Sequence, residues 1–291
     1  LQVPLYEEFT IPVVFHVVVS EEEVLTYGNL SAARIAETME RLNNIFSGKA
    51  TRNAAGVNTG IQFVLAQYNP AGELMDEPGI NRVTVEEVTE GTPPDKYHRF
   101  LSQNNAIWPH EKYLNIWLMS ETKYPKFWNS ITKLCVPKYR LGSETLPGLS
   151  LPPVPSTWVP KVEQIGILFR MSTFQYFQRS IDATAERELV TCIGNYLGLL
   201  DTWKINNSNV NDQCNDTFAY GIVNNNGSLG TNSSWSKEVG SYRFLSENIM
   251  DDPTGTHRSV SKDQALRMYW VLKNCAGRSM WQSDFALTGK E

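Results

Sequence analysis

The sequence predicts an α/β fold built on a mixed sheet, and three observations carry that expectation. Ile11 to Ser20 (IPVVFHVVVS) is a near-continuous β-branched run, the composition of a strand covered on both faces. Strand-like and helix-like segments then alternate, as they do when helices pack on a sheet. Asp182 to Trp203 (DATAERELVTCIGNYLGLLDTW) repeats Leu189, Val190, Ile193, Leu197 and Leu200 at three- and four-residue steps, the pattern of an amphipathic helix.

Each element has its own signal. Ser31 to Phe46 sets Ile35, Met39, Leu42 and Ile45 on one face behind a cap at Asn29 or Ser31, which predicts a helix. Gly60 to Gln67 (GIQFVLAQ) predicts a strand, and Asn69-Pro70-Ala71-Gly72 turns the chain after it. Lys96 to Asn105 reads as a short helix, Tyr113 to Ser120 (YLNIWLMS) as a strand, and Ile165 to Arg170 (IGILFR) as the last strand before the organising helix. Lys123 to Pro160 between them is rich in Pro, Ser and Gly. A structureless loop of that length is uncommon in a compact domain, so part of it reads as functional surface. The helix itself is expected over 182–198, capped by Asp182 or Thr184 and broken at Gly198, where glycine accepts the left-handed conformation of a C-terminal turn. Asn206 to Ser234 is dense in Asn, Ser and Gly and reads as irregular surface. Ser261 to Lys273 closes the chain as a helix capped by Ser261. Of the histidines, His16 lies inside a strand and reads as structural, while His98, His110 and His257 read as solvent-facing.

Composition narrows the function. The chain has 291 residues, 41% hydrophobic and 20% charged, with a net charge of −5. That size holds one large domain or two subdomains, and the balance lacks the basic excess that nucleic-acid binding requires. No run of about 18 apolar residues is present to span a membrane. Four cysteines suit an exported protein and permit two disulfides. Leu1-Gln2-Val3-Pro4 is not a signal sequence, so an exported form is expected to be a trimmed mature chain.

The segment IGNYLGLLDTW resembles the zinc helix of the metzincin metallopeptidases, most closely the pappalysin-like (ulilysin-type) branch, which writes it roughly T-HEIGHYLGLYHTF. The zinc consensus H-E-x-x-H-x-x-G-x-x-H puts two histidines on one helix face and a third beyond a glycine turn. Thr191, Asn195 and Asp201 stand at those three positions here, and Cys192 stands where the general-base glutamate would be. Ile193, Gly194, Tyr196, Leu197 and Gly198, which shape the helix, are kept. Further phrases agree in order: IPVVFHVV, Gly79-Ile80-Asn81-Arg82, Asn105-Ala106-Ile107-Trp108, Tyr113 to Trp117, Cys214-Asn215-Asp216-Thr217, and Gln264 with Arg267 and Met268. Asn248-Ile249-Met250-Asp251-Asp252 resembles the family's methionine turn, N-x-M-D-Y, with Met250 as its methionine and Asp252 in place of its tyrosine.

The resemblance implies a metzincin-like fold. Residues 1–200 would hold the twisted mixed sheet, a backing helix and the degenerate active-site helix. Residues 201–291 would form an irregular C-terminal subdomain with the Met-turn at 248–252 and the closing helix at 261–273. It implies no catalytic residue and no zinc, since hydroxyl and amide donors suit that ion poorly. What remains is an exported non-catalytic homologue of a zinc metallopeptidase, binding an extended peptide or protein along a cleft rimmed by Leu149, Leu151 and Trp158. An active hydrolase with a rebuilt site and a purely structural exported module are the alternatives. Some relatives hold calcium near the Cys214 phrase, but the carboxylates here are too sparse to predict a site. In an exported chain Cys214 is expected to pair with Cys275. Cys192 is expected near the former metal position, reduced or paired with Cys135.

Overall fold

The structure, a computed structural model, describes residues 7–24, 30–52, 54–85, 101, 104–119, 130–131, 136–137, 165–171, 184–205, 210–222, 236–239 and 241–291. The rim residues Leu149, Leu151 and Trp158, His98, Cys135 and most of the 96–105 helix lie outside them.

The β-branched run becomes β1, Phe9–Ser20, the longest strand of the sheet. It pairs in parallel with β2 (Ile61–Leu65) along its first half and with β3 (Ile80–Val85) along its second. On its other side lies β4 (Leu114–Met119). The sheet continues through β7 (Ile167–Arg170) to β5 (Ser130–Ile131), which runs antiparallel at the edge, so the sheet is mixed as predicted.

Strand alternation decides which way β1 packs. Phe9, Ile11, Val13, Phe15, Val17 and Val19 enter the principal core, while Val14 and Val18 fill two smaller clusters on the opposite face. Helix α1, Ala32–Phe46, covers the principal face with Ile35, Met39, Leu42, Ile45 and Phe46, and the Ser31 hydroxyl caps it by accepting from Arg34 N–H at 3.2 Å. His16 falls on the opposite face, fully buried between Trp108 and Trp117. Its Nδ1 accepts from the Asn81 amide at 2.9 Å, so Nε2 carries the proton and donates to Asn115 Oδ1 at 2.8 Å. Burial holds its pKa down to about 4, and the structural reading of this histidine stands.

Helix α2, Thr184–Tyr196, lies on the principal face and sends Leu189, Val190, Cys192, Ile193, Tyr196 and Leu197 into that core. It ends as predicted. Gly198 has φ +87°, and Leu199 N–H reaches back to Gly194 O at 2.9 Å, closing the turn. Beyond it come β8 (Trp203–Ile205) paired with β9 (Tyr220–Ile222), the hairpin β10 (Ser236–Val239) and β11 (Tyr242–Leu245), and helix α3, Lys262–Asn274. Ser261 and Gln264 form the capping box of α3.

The chain end carries no sequence motif, yet it is structural. Trp281 meets Phe9 edge-on with centroids 4.9 Å apart, and Phe285 and Ala286 join Trp108 and Tyr113. Arg278 is buried, lies 3.5 Å over the Tyr196 ring and donates through Nε to Tyr196 O at 2.8 Å. His110 is a correction: its side chain is only 11% exposed, and its ring lies beside Gly277. Burial lowers its pKa and Arg278 adds to that, while Glu111 opposes it.

The expected Cys214–Cys275 disulfide is not formed, since Cys214 is a free thiol. Helix α3 keeps the two apart. Asn215 N–H donates to Asp263 Oδ2 at the start of α3, whereas Cys275 caps its far end, opposite Pro137 of β6 (Val136–Pro137) in the short strand β12, Cys275–Ala276. Thirteen helical residues separate the ends by ~20 Å, against roughly 4–7 Å between the Cα atoms of a disulfide.

Candidate functional site

The C-terminal half of α2 lies against the Met-turn because residue 194 has no side chain. A Cβ built on Gly194 would stand 2.6 Å from Met250 Sδ and 3.3 Å from Ile249 Cδ1. Met250 is fully buried, and its N–H donates to Asn248 Oδ1 at 2.9 Å, which fixes the turn. The Asn248 amide exchanges hydrogen bonds with Gln264 of α3 at 2.8 and 2.9 Å, so three segments meet beneath α2.

The residues at the three zinc-type positions bond to protein partners. The Thr191 hydroxyl donates to Ile249 O at 2.8 Å and lies 3.1 Å from His257 Nδ1. The Asn195 side chain hydrogen-bonds the Asp201 carboxylate. Desolvation pushes the Asp201 pKa up, while Asn195 and then Lys204 pull it down, and the residue still reaches solvent. Hydroxyl and amide are weak zinc donors, and both are engaged. Among the described residues no three His, Cys, Asp or Glu side chains converge as a metal set. This donor set does not fit zinc. Cys192, at the general-base position, is buried within the principal core.

His257 is the second correction, for it is not a surface histidine. It is 3% exposed and turns inward on a left-handed backbone, φ +49°. Its Nε2 lies 2.9 Å from Asp252 O, and a carbonyl only accepts, so Nε2 carries a proton. In the neutral ring Nδ1 is then an acceptor, and the single Thr191 proton serves both Nδ1 and Ile249 O.

Next to this carbonyl in the chain are two adjacent buried carboxylates, Asp251 and Asp252. Asp252 accepts from the Tyr220 hydroxyl at 2.7 Å through Oδ2, and from Thr254 N–H at 3.0 Å and its hydroxyl at 2.5 Å through Oδ1. Asp252 stands where the family writes tyrosine, and a tyrosine arrives from β9 instead. Asp251 accepts from Thr202 Oγ1 at 2.6 Å, Ser246 Oγ at 2.9 Å and Asn248 N–H at 3.0 Å. Burial nevertheless raises its pKa to about 6, with Asp252 adding to the rise against those three bonds. Desolvation likewise pushes the Tyr220 hydroxyl up.

The structure thus gathers Thr191, Asn195, Asp201, Met250 and Asp252 around one junction, as their motif order implies. Sequence reasoning missed His257, Tyr220, Thr202 and Asp251. Only the place of His257, seven residues after Met250, hinted at a role.

No protein-family model matches the chain, and no curated protein matches it in sequence. Solved structures do match in fold. Mature mirolysin of Tannerella forsythia in complex with a cleaved peptide aligns at TM-score 0.64 and 20% identity, covering 97% of this chain and 99% of that one. Mirolysin in complex with a small compound aligns at TM-score 0.65 and 19% identity, covering 98% and 100%. A promirolysin variant from the same organism aligns at 0.59 and 19%, covering 96% and 85%. The fold is that of the metzincin peptidases.

Proposed function

We propose that the protein is a non-catalytic homologue of a zinc metallopeptidase, without zinc, that binds an extended peptide or protein segment. The observation that carries this reading is the bonding at the former ligand positions: Thr191 to Ile249 O and His257, Asn195 to Asp201. A zinc peptidase needs an acidified metal-bound water and a carboxylate base. Here side-chain bonds within the protein join α2 to the Met-turn.

Peptide binding has a geometric basis in β5, the antiparallel strand that is outermost in the sheet among the described residues. An edge strand offers main-chain donors and acceptors to an added strand, a mode that survives the loss of catalytic side chains. A mirolysin structure holds a cleaved peptide, which supports the same use of this fold. Export belongs to this proposal as well, although the free Cys214 removes the disulfide that the cysteine count suggested. No helix among the described residues is long and apolar enough to cross a membrane.

The test is a binding screen of the intact protein against extended peptide arrays, with mass-spectrometric detection of cleavage and elemental analysis for metal. Saturable binding without cleavage and without stoichiometric zinc is expected. Chelator-sensitive cleavage would overturn the reading. A hydrolase with a rebuilt site is the second reading, favoured by Thr191 Oγ1 lying 3.1 Å from a histidine nitrogen. It requires cleavage that chelators leave intact and that Thr191→Val abolishes.

A further inference from the structure

A concavity with a volume of about 180 Å³ opens between the C-terminal part and the loop at Ala55 and Gly56. It shares Asn248 and Asp251 with the Met-turn but contains none of Thr191, Asn195, Asp201 or His257. Asp251 and Asp216 contribute carboxylates to its wall, Phe218, Phe244 and Leu245 contribute apolar surface, and among the described residues no Lys, Arg or His lines it. Phe218 and Leu245 are 41% and 50% exposed, and the Phe218 and Phe244 rings meet at 4.8 Å.

Asp251 makes this more than an apolar dent. It is 4% exposed, and its three partners are a threonine hydroxyl, a serine hydroxyl and a backbone N–H, all neutral. A carboxylate offers about four acceptor positions, so one remains. Burying a charge is costly unless a counter-charge accompanies it, and here the nearest charge is another carboxylate, Asp252. Asp216 similarly accepts from the Ser261 hydroxyl at 2.6 Å and Asp263 N–H at 2.9 Å, again from neutral groups.

We propose that this pocket binds an aliphatic ammonium group, its charge against Asp251 and Asp216 and its alkyl stem against Phe218, Phe244 and Leu245. The wall chemistry selects the class. A hard inorganic cation would use only the oxygens of the wall and leave the Phe218 and Phe244 rings and Leu245 without a role. An alkyl ammonium uses both halves, since ring faces attract cations and the stem buries apolar surface.

The probe is cadaverine, titrated calorimetrically into the full chain, with Nα-acetyl-lysine methylamide as the arm that presents the same group on a peptide. Saturable one-to-one binding of either probe is expected. If both bind, the pocket reads the ammonium alone, and if only the lysine derivative binds, it reads a lysine side chain. Phe218→Ala should weaken binding roughly tenfold through loss of the ring face. Leu245→Lys should weaken it further by placing a cation at the mouth. Both substitutions replace exposed side chains, so unchanged thermal unfolding checks that the fold is intact. Three outcomes overturn the proposal: no saturable binding of either amine, equal binding of uncharged 1-pentanol, or binding of calcium chloride in place of the amines.

Discussion

The two buried histidines sit in contrasting surroundings. His16 lies in the middle of a strand, where the residues on either side point into the opposite face and are apolar. Its two nitrogens are satisfied one-to-one by Asn81 and Asn115. His257 lies in a loop against α2 and the Met-turn, bonded to the Thr191 hydroxyl and the Asp252 carbonyl, and the same junction holds the carboxylates of Asp251 and Asp252. The first is an isolated polar island in an apolar sheet. The second belongs to a polar core at the junction of α2, β9 and the Met-turn. A sheet core tolerates one satisfied imidazole cheaply, whereas a polar core holds only while every member keeps its partner.

The largest effect should therefore come from the polar core. Asp251→Ala would leave Ser246 Oγ and Asn248 N–H without this acceptor, while Thr202 Oγ1 keeps Met250 O at 3.1 Å. We expect a loss of about 2–4 kcal/mol in urea denaturation, the scale for leaving two buried donors unsatisfied. A loss below about 1 kcal/mol would mean that solvent reaches this junction and that the contrast with the sheet is false.

Titration separates the two regions by sign. His16 titrates near 6.5 when unfolded and about 4 when folded, so its contribution is complete above 6.5 and lost as pH falls towards 4. Asp251 moves from 3.8 to about 6, so stability gained from its protonation is present below 3.8 and lost as pH rises through 6. Each span corresponds to about 3 kcal/mol, and the two oppose each other between pH 4 and 6. His110 acts with His16, and Asp201 acts with Asp251. The unmodified protein should show a shallow stability profile there. Asp251→Asn should steepen it, with stability rising by about 2–3 kcal/mol from pH 4 to 6.5. A variant profile no steeper than the original would remove the assigned opposition.

Much of the fold was legible because β1, β2, β4, α1 and α3 each announce themselves through local periodicity or a cap. The helix end at Gly198 was legible for the same reason, since the turn needs the conformation glycine supplies. The junction was only half legible. The motif order located Thr191, Asn195, Asp201 and Met250, but the partners that satisfy them come from segments tens of residues away. Nothing local says that His257 adopts a left-handed backbone and turns inward, or that Tyr220 reaches Asp252. The chain end was illegible because Arg278, Trp281 and Phe285 follow no periodicity. They fill gaps left by other elements. Gly194→Ala tests the legible half. The added methyl must displace Met250 Sδ, 2.6 Å away, and we expect destabilisation of about 1–2 kcal/mol despite the gain in helix propensity. A stabilised variant would show that α2 and the turn slide apart freely.

The smallest effect concerns Cys214, where the sequence suggested a covalent tie between regions that helix α3 holds apart. Cys214 is half-buried, and burial together with Asp212 pushes its thiol up to about 12. The thiolate is the reactive form, so Cys214 should alkylate slowly at pH 8 and faster only in denaturant. Cys214→Ser should then cost less than about 1 kcal/mol, because the two side chains are close in size and the half-buried site leaves the hydroxyl within reach of water. A disulfide closing the loop to Cys275 would instead be worth roughly 4 kcal/mol in the chain-entropy picture, and the same substitution would remove it. Urea denaturation with and without reductant discriminates the two. A large, reductant-sensitive loss would require α3 to be frayed or displaced, since an intact thirteen-residue helix cannot bring its two ends within bonding distance.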